Sequence, residues 1–212
     1  RQRGSPAAPP RRSRGRAGPK TCASPAPLLS CRSSPSSFCV ASWIAAASVV
    51  LLTSCSSKTP EGAKAVKPFD VKRYTGKWYE IARLDFKYEK GLNNVTADYS
   101  LNDDGSIKVL NRGYDVKKEK WEEANGKAKF VDAQDEARLK VSFFGPFYSG
   151  YNVIAIDPEY RYALVAGESL KYLWLLSRET EMPENIKEDY LQKANAIGYN
   201  TNDLVWVKHD RK

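Results

Sequence analysis

From position 77 onward, apolar and polar residues alternate in short runs broken by turn formers. The pattern predicts strands over 77–84, 94–101, 106–115, 121–131, 137–144, 151–157, 162–167 and 172–178. Runs of this kind and number predict an all-β fold, an eight-stranded up-and-down antiparallel barrel. Between the second and third runs, Asn102-Asp103-Asp104-Gly105 reads as a hairpin turn, because Asp and Gly tolerate the positive φ of tight turns. After Arg178 the period lengthens. Pro183 can open a helix, Ile186, Tyr190, Ala194 and Ile197 share one face, and Gly198 supplies an ending. This single C-terminal α-helix has to pack its apolar stripe on the outside of the barrel. Leu204-Val205-Trp206-Val207 then reads as a short ninth strand. Eight strands enclose room for one small ligand.

Strands that alternate up and down from Trp78 bring Gly76, the turn Asp157-Pro158-Glu159-Tyr160 and Arg178 to one closed end. A guanidinium stacked there on the Trp78 indole contributes about 0.5–2 kcal/mol. The other end collects the loops 85–93, 116–120, 145–150 and 168–171 as a mouth, with Phe86, Tyr88 and Leu92 as candidate lid residues. Period-two alternation from an inward Trp78 puts Glu80 and Ala82 inside and Tyr79, Ile81 and Arg83 outside. From an inward Arg178 it puts Leu176 and Trp174 inside. An inward Glu80 is costly unless it pairs with a base, keeps its proton or touches ligand. A structural hydrogen bond near the base is the simpler reading and a ligand contact the other.

The segment Phe69-Asp70-Val71-Lys72-Arg73-Tyr74-Thr75-Gly76-Lys77-Trp78-Tyr79-Glu80-Ile81-Ala82, the Asp157 turn and Trp174-Leu175-Leu176-Ser177-Arg178 follow one another in order. Together they resemble the three motifs of the lipocalin family, and the residues around them are most similar to the bacterial lipocalins and apolipoprotein D. The resemblance implies structural roles for Gly76, Trp78, Asp157, Tyr160 and Arg178. It places the pocket at Tyr99, Asn111, Phe143 and Trp174; beside these, Val109 and the inward Leu176 offer further apolar wall, and the inward Glu80 is a candidate ligand contact. It also implies a fatty acid or lysophospholipid as the bound molecule.

Composition breaks at position 55. Residues 1–54 contain eight Lys or Arg and no acid, so the 34 bases less these eight leave 26 against 25 acids beyond them, a formal charge of +1. No basic stripe remains for nucleic acid. Residues 1–54 read as a disordered basic leader plus a signal peptide, whose apolar run at 38–52 is short for a membrane span. Residues 1–37 fit either an organelle transit peptide or a reading frame extended upstream. Leu52-Thr53-Ser54-Cys55 has the form of a lipobox, so Cys55 is the expected lipidation site and 55–68 a flexible tether ahead of a barrel domain at 69–212. Ser56 after the Cys points, by family knowledge, to the bacterial outer membrane.

Catalytic and metal chemistry find little support. The only His is His209, expected to be solvated in a charged tail, and no Cys follows Cys55. No His/Cys cluster has metal spacing, and neither a metal nor a cofactor is expected. The mouth loops hold Lys87, Lys90, Lys117, Lys118, Lys120 and Lys171 against Asp85, Glu89, Glu119 and Glu168, an excess too small to specify a head group. Three classes stay open: a membrane-anchored, non-enzymatic lipid binder or carrier, which is preferred; a lipocalin-fold enzyme using Glu80 or Tyr99; and a structural envelope protein with an empty barrel. The sequence also leaves a homodimer open.

Overall fold

The computed structural model describes residues 58–211. The basic leader, the apolar run and Cys55 lie outside the described residues. Within them, Asp70 caps a single helical turn, α1 (Val71–Tyr74), by accepting hydrogen bonds from the Lys72 and Arg73 amides. Eight antiparallel strands follow: β1 (Gly76–Leu84), β2 (Leu92–Leu101), β3 (Ile107–Asp115), β4 (Lys120–Phe130), β5 (Arg138–Ser142), β6 (Ser149–Ile156), β7 (Tyr162–Ala166) and β8 (Leu173–Ser177). Each pairs with the next, and β1 pairs with both β2 and β8, which closes the barrel.

α2 (Glu184–Ile197) lies on the outside, with Tyr190 and Ala194 buried. Its stripe packs with Met182 on Ala155, Leu164, Leu173 and Leu175, the outward residues of β6, β7 and β8. The short ninth strand, β9 (Leu204–Trp206), pairs with the upper half of β1. Inward residues make a separate cluster, in which Trp78, Tyr99, Val109, Leu139, Val153 and Leu176 surround the lower interior.

The base is one interlocked unit. The Arg178 guanidinium lies 3.9 Å from the Trp78 ring centre. Its nitrogens donate to the carbonyls of Arg73 (2.8 Å), Thr75 (2.9 Å), Lys77 (2.8 Å) and Tyr160 (3.2 Å), so one side chain satisfies the open C-terminus of α1 and ties it to the β6–β7 turn. Trp78 donates from its indole to the Tyr74 carbonyl at 2.8 Å. The Asp157 carboxylate accepts from the amides of Glu159 (3.1 Å), Arg161 (2.6 Å) and Tyr162, which holds that turn. Tyr160 accepts from the Asp70 amide at 2.9 Å. Gly76 has φ +91, and a Cβ there would stand 3.4 Å from Arg178, so the residue suits both the left-handed backbone and the guanidinium beside it.

Three features depart from the sequence reading. Along β1, Glu80 pairs with Leu176 but Ala82 pairs with Leu175, so Ile81 is an extra residue in a bulge. The slip reverses the faces above it: Ala82 joins the outer cluster under α2, and Arg83, expected outside, turns inward and is only 1% exposed. The supposed tether is also not free where it is described. Thr59 donates to the Asn152 side chain at 3.4 Å, Val66 bridges Val153 and Ala137 through backbone bonds of 2.8 and 2.9 Å, and Phe69 binds the Asp135 carbonyl. Residues 58–68 thus form a strap down the β5–β6 wall from mouth to base. Finally, His209 is half-buried against the barrel and not free in solvent. The His209 ring nitrogen lies 2.8 Å from the Glu80 carbonyl, and its ring meets Tyr79 edge-on. The Val207 amide binds the Ile81 carbonyl, and the Lys208 carbonyl accepts from the Asn94 amide, so the tail fills the upper gap between β1 and β2.

Arg178→Ala removes the ring stack and leaves carbonyls of α1 without partners; it is expected to cost about 2–4 kcal/mol of stability in urea unfolding. Arg178→Lys should recover less than half of that loss, because an ammonium cannot reproduce the planar fork.

Candidate functional site

Above the base the barrel is hollow, because β2, β3 and β4 turn short side chains such as Ala97, Val109 and Ala128 inward. The resulting cavity has a volume of about 710 Å³. Tyr99, Val109, Asn111, Phe143, Trp174 and Leu176 all line it, as does Glu80. Gly76, Trp78, Asp157, Tyr160 and Arg178 belong to the base beneath, and Cys55 lies outside the described residues.

The floor carries three tyrosines. Tyr151 sits between Tyr74 and Tyr99, with hydroxyl separations of 2.6 and 2.9 Å, and burial pushes all three phenols up. Only Tyr99 was expected here. Tyr151 could have been found by counting alternate residues along β6, whereas Tyr74 enters from α1, where no strand parity applies. Higher up, the Asn111 Oδ1 is buried without a hydrogen-bond partner among the described residues.

A polar cluster lies toward the mouth. The Glu80 carboxylate accepts from Arg83 Nη1 at 2.7 Å, both side chains being buried. Arg83 Nη2 donates to the Glu89 carbonyl at 2.6 Å and the Leu92 carbonyl at 3.3 Å, which fastens the β1–β2 loop. The Glu89 carboxylate then accepts from the Trp174 indole at 3.0 Å, while Phe86 packs edge-on against Trp174 with centres 5.8 Å apart. Glu80 is therefore not a lone carboxylate near the base but half of a buried ion pair, and its partner was hidden by the bulge. Glu89, expected as a charge on the rim, is turned inward. Desolvation raises both carboxyls, opposed at Glu80 chiefly by the Arg83 guanidinium. Glu89 is pushed up to about 8, with the neighbouring Glu80 charge as the second cause.

A closed up-and-down barrel, floored at one end, hollow, and braced by one outer helix, defines a single class of ligand-holding β-barrel. Residues 69–209 match the lipocalin-like domain family, and the chain belongs to the lipocalins. It is 53% identical over 159 residues to the outer membrane lipoprotein Blc of Citrobacter freundii, covering 74% of this chain and 90% of that protein. It is 36% identical over 124 residues to apolipoprotein D of Rattus norvegicus, covering 54% of this chain and 64% of that protein. Among solved structures, the cockroach allergen Per a 4 superposes with a TM-score of 0.56 at 20% identity, over 72% of this chain and 95% of that one, a likeness of fold alone.

Two predictions test the polar cluster. Arg83→Met strands Glu80 in the interior and is expected to cost about 3–5 kcal/mol in urea unfolding, most of it restored by adding Glu80→Leu. Glu89 is raised in the folded state, so between the ordinary carboxyl range and about pH 8 the folded chain binds more protons than the unfolded one, and stability falls as pH rises through that window. Thermal unfolding of Glu89→Gln followed from acid to mildly alkaline pH should lack this decline.

Proposed function

We propose that the protein is a membrane-anchored, non-catalytic lipocalin that binds, stores or transports one amphipathic lipid, a fatty acid or lysophospholipid, in the barrel cavity. The cavity carries the reading. Its volume of about 710 Å³ falls in the range of small-molecule sites, and its walls are mostly apolar. An acyl chain against Val109, Phe143, Trp174 and Leu176 gains roughly 25 cal/mol for each square ångström removed from water. Asn111 offers an unused acceptor partway up. With the proton held on Glu89, the Glu80–Arg83 pair is close to neutral, so an anionic head group entering from the mouth meets little repulsion.

The anchor is part of the same proposal. Leu52-Thr53-Ser54-Cys55 fits a lipobox, and relatives at about half identity are named outer membrane lipoproteins. We assign the lipid to Cys55 and the location to the bacterial outer membrane. Two acyl signals at one residue make firm attachment, whereas a single chain is marginal.

Native mass spectrometry and lipid extraction of the full chain test this reading. One long-chain amphiphile per barrel, recovered chemically unchanged after incubation, is the expected result. Ala97→Phe, which places a ring in the cavity, should abolish the bound lipid while the near-ultraviolet circular dichroism is kept. An empty wild-type barrel, or a lipid converted to product, would refute it.

A further inference from the structure

The hydrophobic residues that the fold leaves in water are concentrated at one end. Among the described residues the exposed large ones are Tyr88, Leu101, Val116, Phe144, Phe147, Tyr148, Leu170, Val205 and Trp206. Six of these nine stand on mouth loops, and all four mouth loops contribute, whereas the base contributes only Leu101. Phe147 is 79% exposed, Phe144 68% and Tyr88 65%. All three border the cavity opening, yet they stay mostly in water. Tyr88 and Phe144 meet with ring centres 6.1 Å apart, so the β1–β2 and β5–β6 loops form one continuous lip.

Charge around the lip has a matching bias. Lys87, Lys90, Lys117 and Lys171 are exposed on the same loops, and Lys87 lies over the Tyr88 ring at 5.2 Å. Of the four opposing acids, Glu89 is turned inward to Trp174 and Asp85 faces Arg83 at 3.6 Å, whereas Glu119 and Glu168 stay exposed, so the basic excess is modest. Aromatic side chains interleaved with lysines suit the interface of a bilayer with anionic lipids, where rings settle at head-group depth and ammonium groups meet phosphates.

The strap shows which end of the molecule is held. The Lys58 carbonyl lies 3.0 Å from where a Cβ on Gly150 would stand, next to Glu168, so the chain enters the barrel at the mouth. Only Ser56 and Ser57 separate Lys58 from Cys55, three steps of chain that span roughly 10 Å when fully extended. A lipid on Cys55 therefore brings the mouth, not the base, to the membrane.

We propose that the barrel docks mouth-first on the bilayer, with the Tyr88, Phe144 and Phe147 lip in the interface, so that the cavity opens onto lipid rather than water. The inference rests on the anchor at Cys55 proposed above. A lipid would then pass between membrane and cavity without crossing bulk solvent. The lip is what makes that path dry.

The full chain, reconstituted in phosphatidylethanolamine–phosphatidylglycerol vesicles with a benzophenone amino acid at position 147 or, as control, at position 103 on the base, provides the test. Lipid adducts at 147 and none at 103 are expected. Equal labelling, no labelling, or adducts from 147 to a second copy or another protein in place of lipid would overturn the docking. The pair Phe144→Ser and Phe147→Ser, whose rings also border the cavity, should slow uptake of a fluorescent fatty acid from vesicles by about tenfold and weaken its equilibrium binding from solution by much less. An unchanged uptake rate would also overturn it. Should no fatty acid bind while the 147 adducts persist, the carrier reading fails and the docking stands.

Discussion

A barrel that keeps its interior open gives up the central packing that holds most small domains together, so its wall has to be clamped from outside that space. Here the clamp is Arg178. It covers Trp78, takes up the carbonyls that end α1, and reaches Tyr160 in the turn held by Asp157. Three segments distant in sequence are thereby joined in one plane below the cavity. The second clamp is apolar. α2 lays Tyr190 and Ala194 on the outward residues of β6, β7 and β8, so the side of the sheet that faces away from the cavity has a dense core of its own. Tyr190 adds a hydrogen bond to the Tyr162 carbonyl at 3.0 Å. With both clamps in place, the inner face is free to be shaped by what it holds.

The parts of this fold that could be read in the chain are those governed by local periodicity. Alternating runs predicted eight strands, the change of period after Arg178 predicted α2, and counting strand directions brought Arg178 and Trp78 together. The parts that could not be read depend on single-residue slips and on nonlocal docking. No residue type marks Ile81 as a bulge, and a slip of one residue exchanged Ala82 and Arg83 between the faces. Pro60, Gly62 and Pro68 look like a tether because turn formers report only local preference, not that Val66 finds backbone partners on β5 and β6. For the site, strand parity reached Glu80, Trp174 and Leu176, and family resemblance supplied Tyr99, Asn111 and Phe143. Glu89 escaped both, since a loop carboxylate is read as solvated until its loop is seen to fold inward.

That loop links the wall to the mouth. Arg83 binds two of its carbonyls from within the barrel, and Glu89 and Phe86 lie against Trp174. Buried ion pairs seldom add net stability, because desolvation offsets most of the attraction. The Glu80–Arg83 pair has a positional effect instead: it holds the guanidinium where Nη2 reaches the Glu89 and Leu92 carbonyls. A single inward arginine thus couples the geometry of the first strand to access from outside.

The seam between the first and second strands has a consequence for the end of the chain. β3 and β4 are joined by nine register pairs but β1 and β2 by only four, and above these the gap is spanned by Val207, Lys208 and the residues after them. Asn94 binds Asp210 and receives the Arg211 amide, and the Arg211 guanidinium covers the Tyr114 ring at 4.0 Å. Residues 207–211 are therefore masonry rather than fringe: they complete the wall where the first two strands part, so loosening them would unzip the enclosure along its own joint.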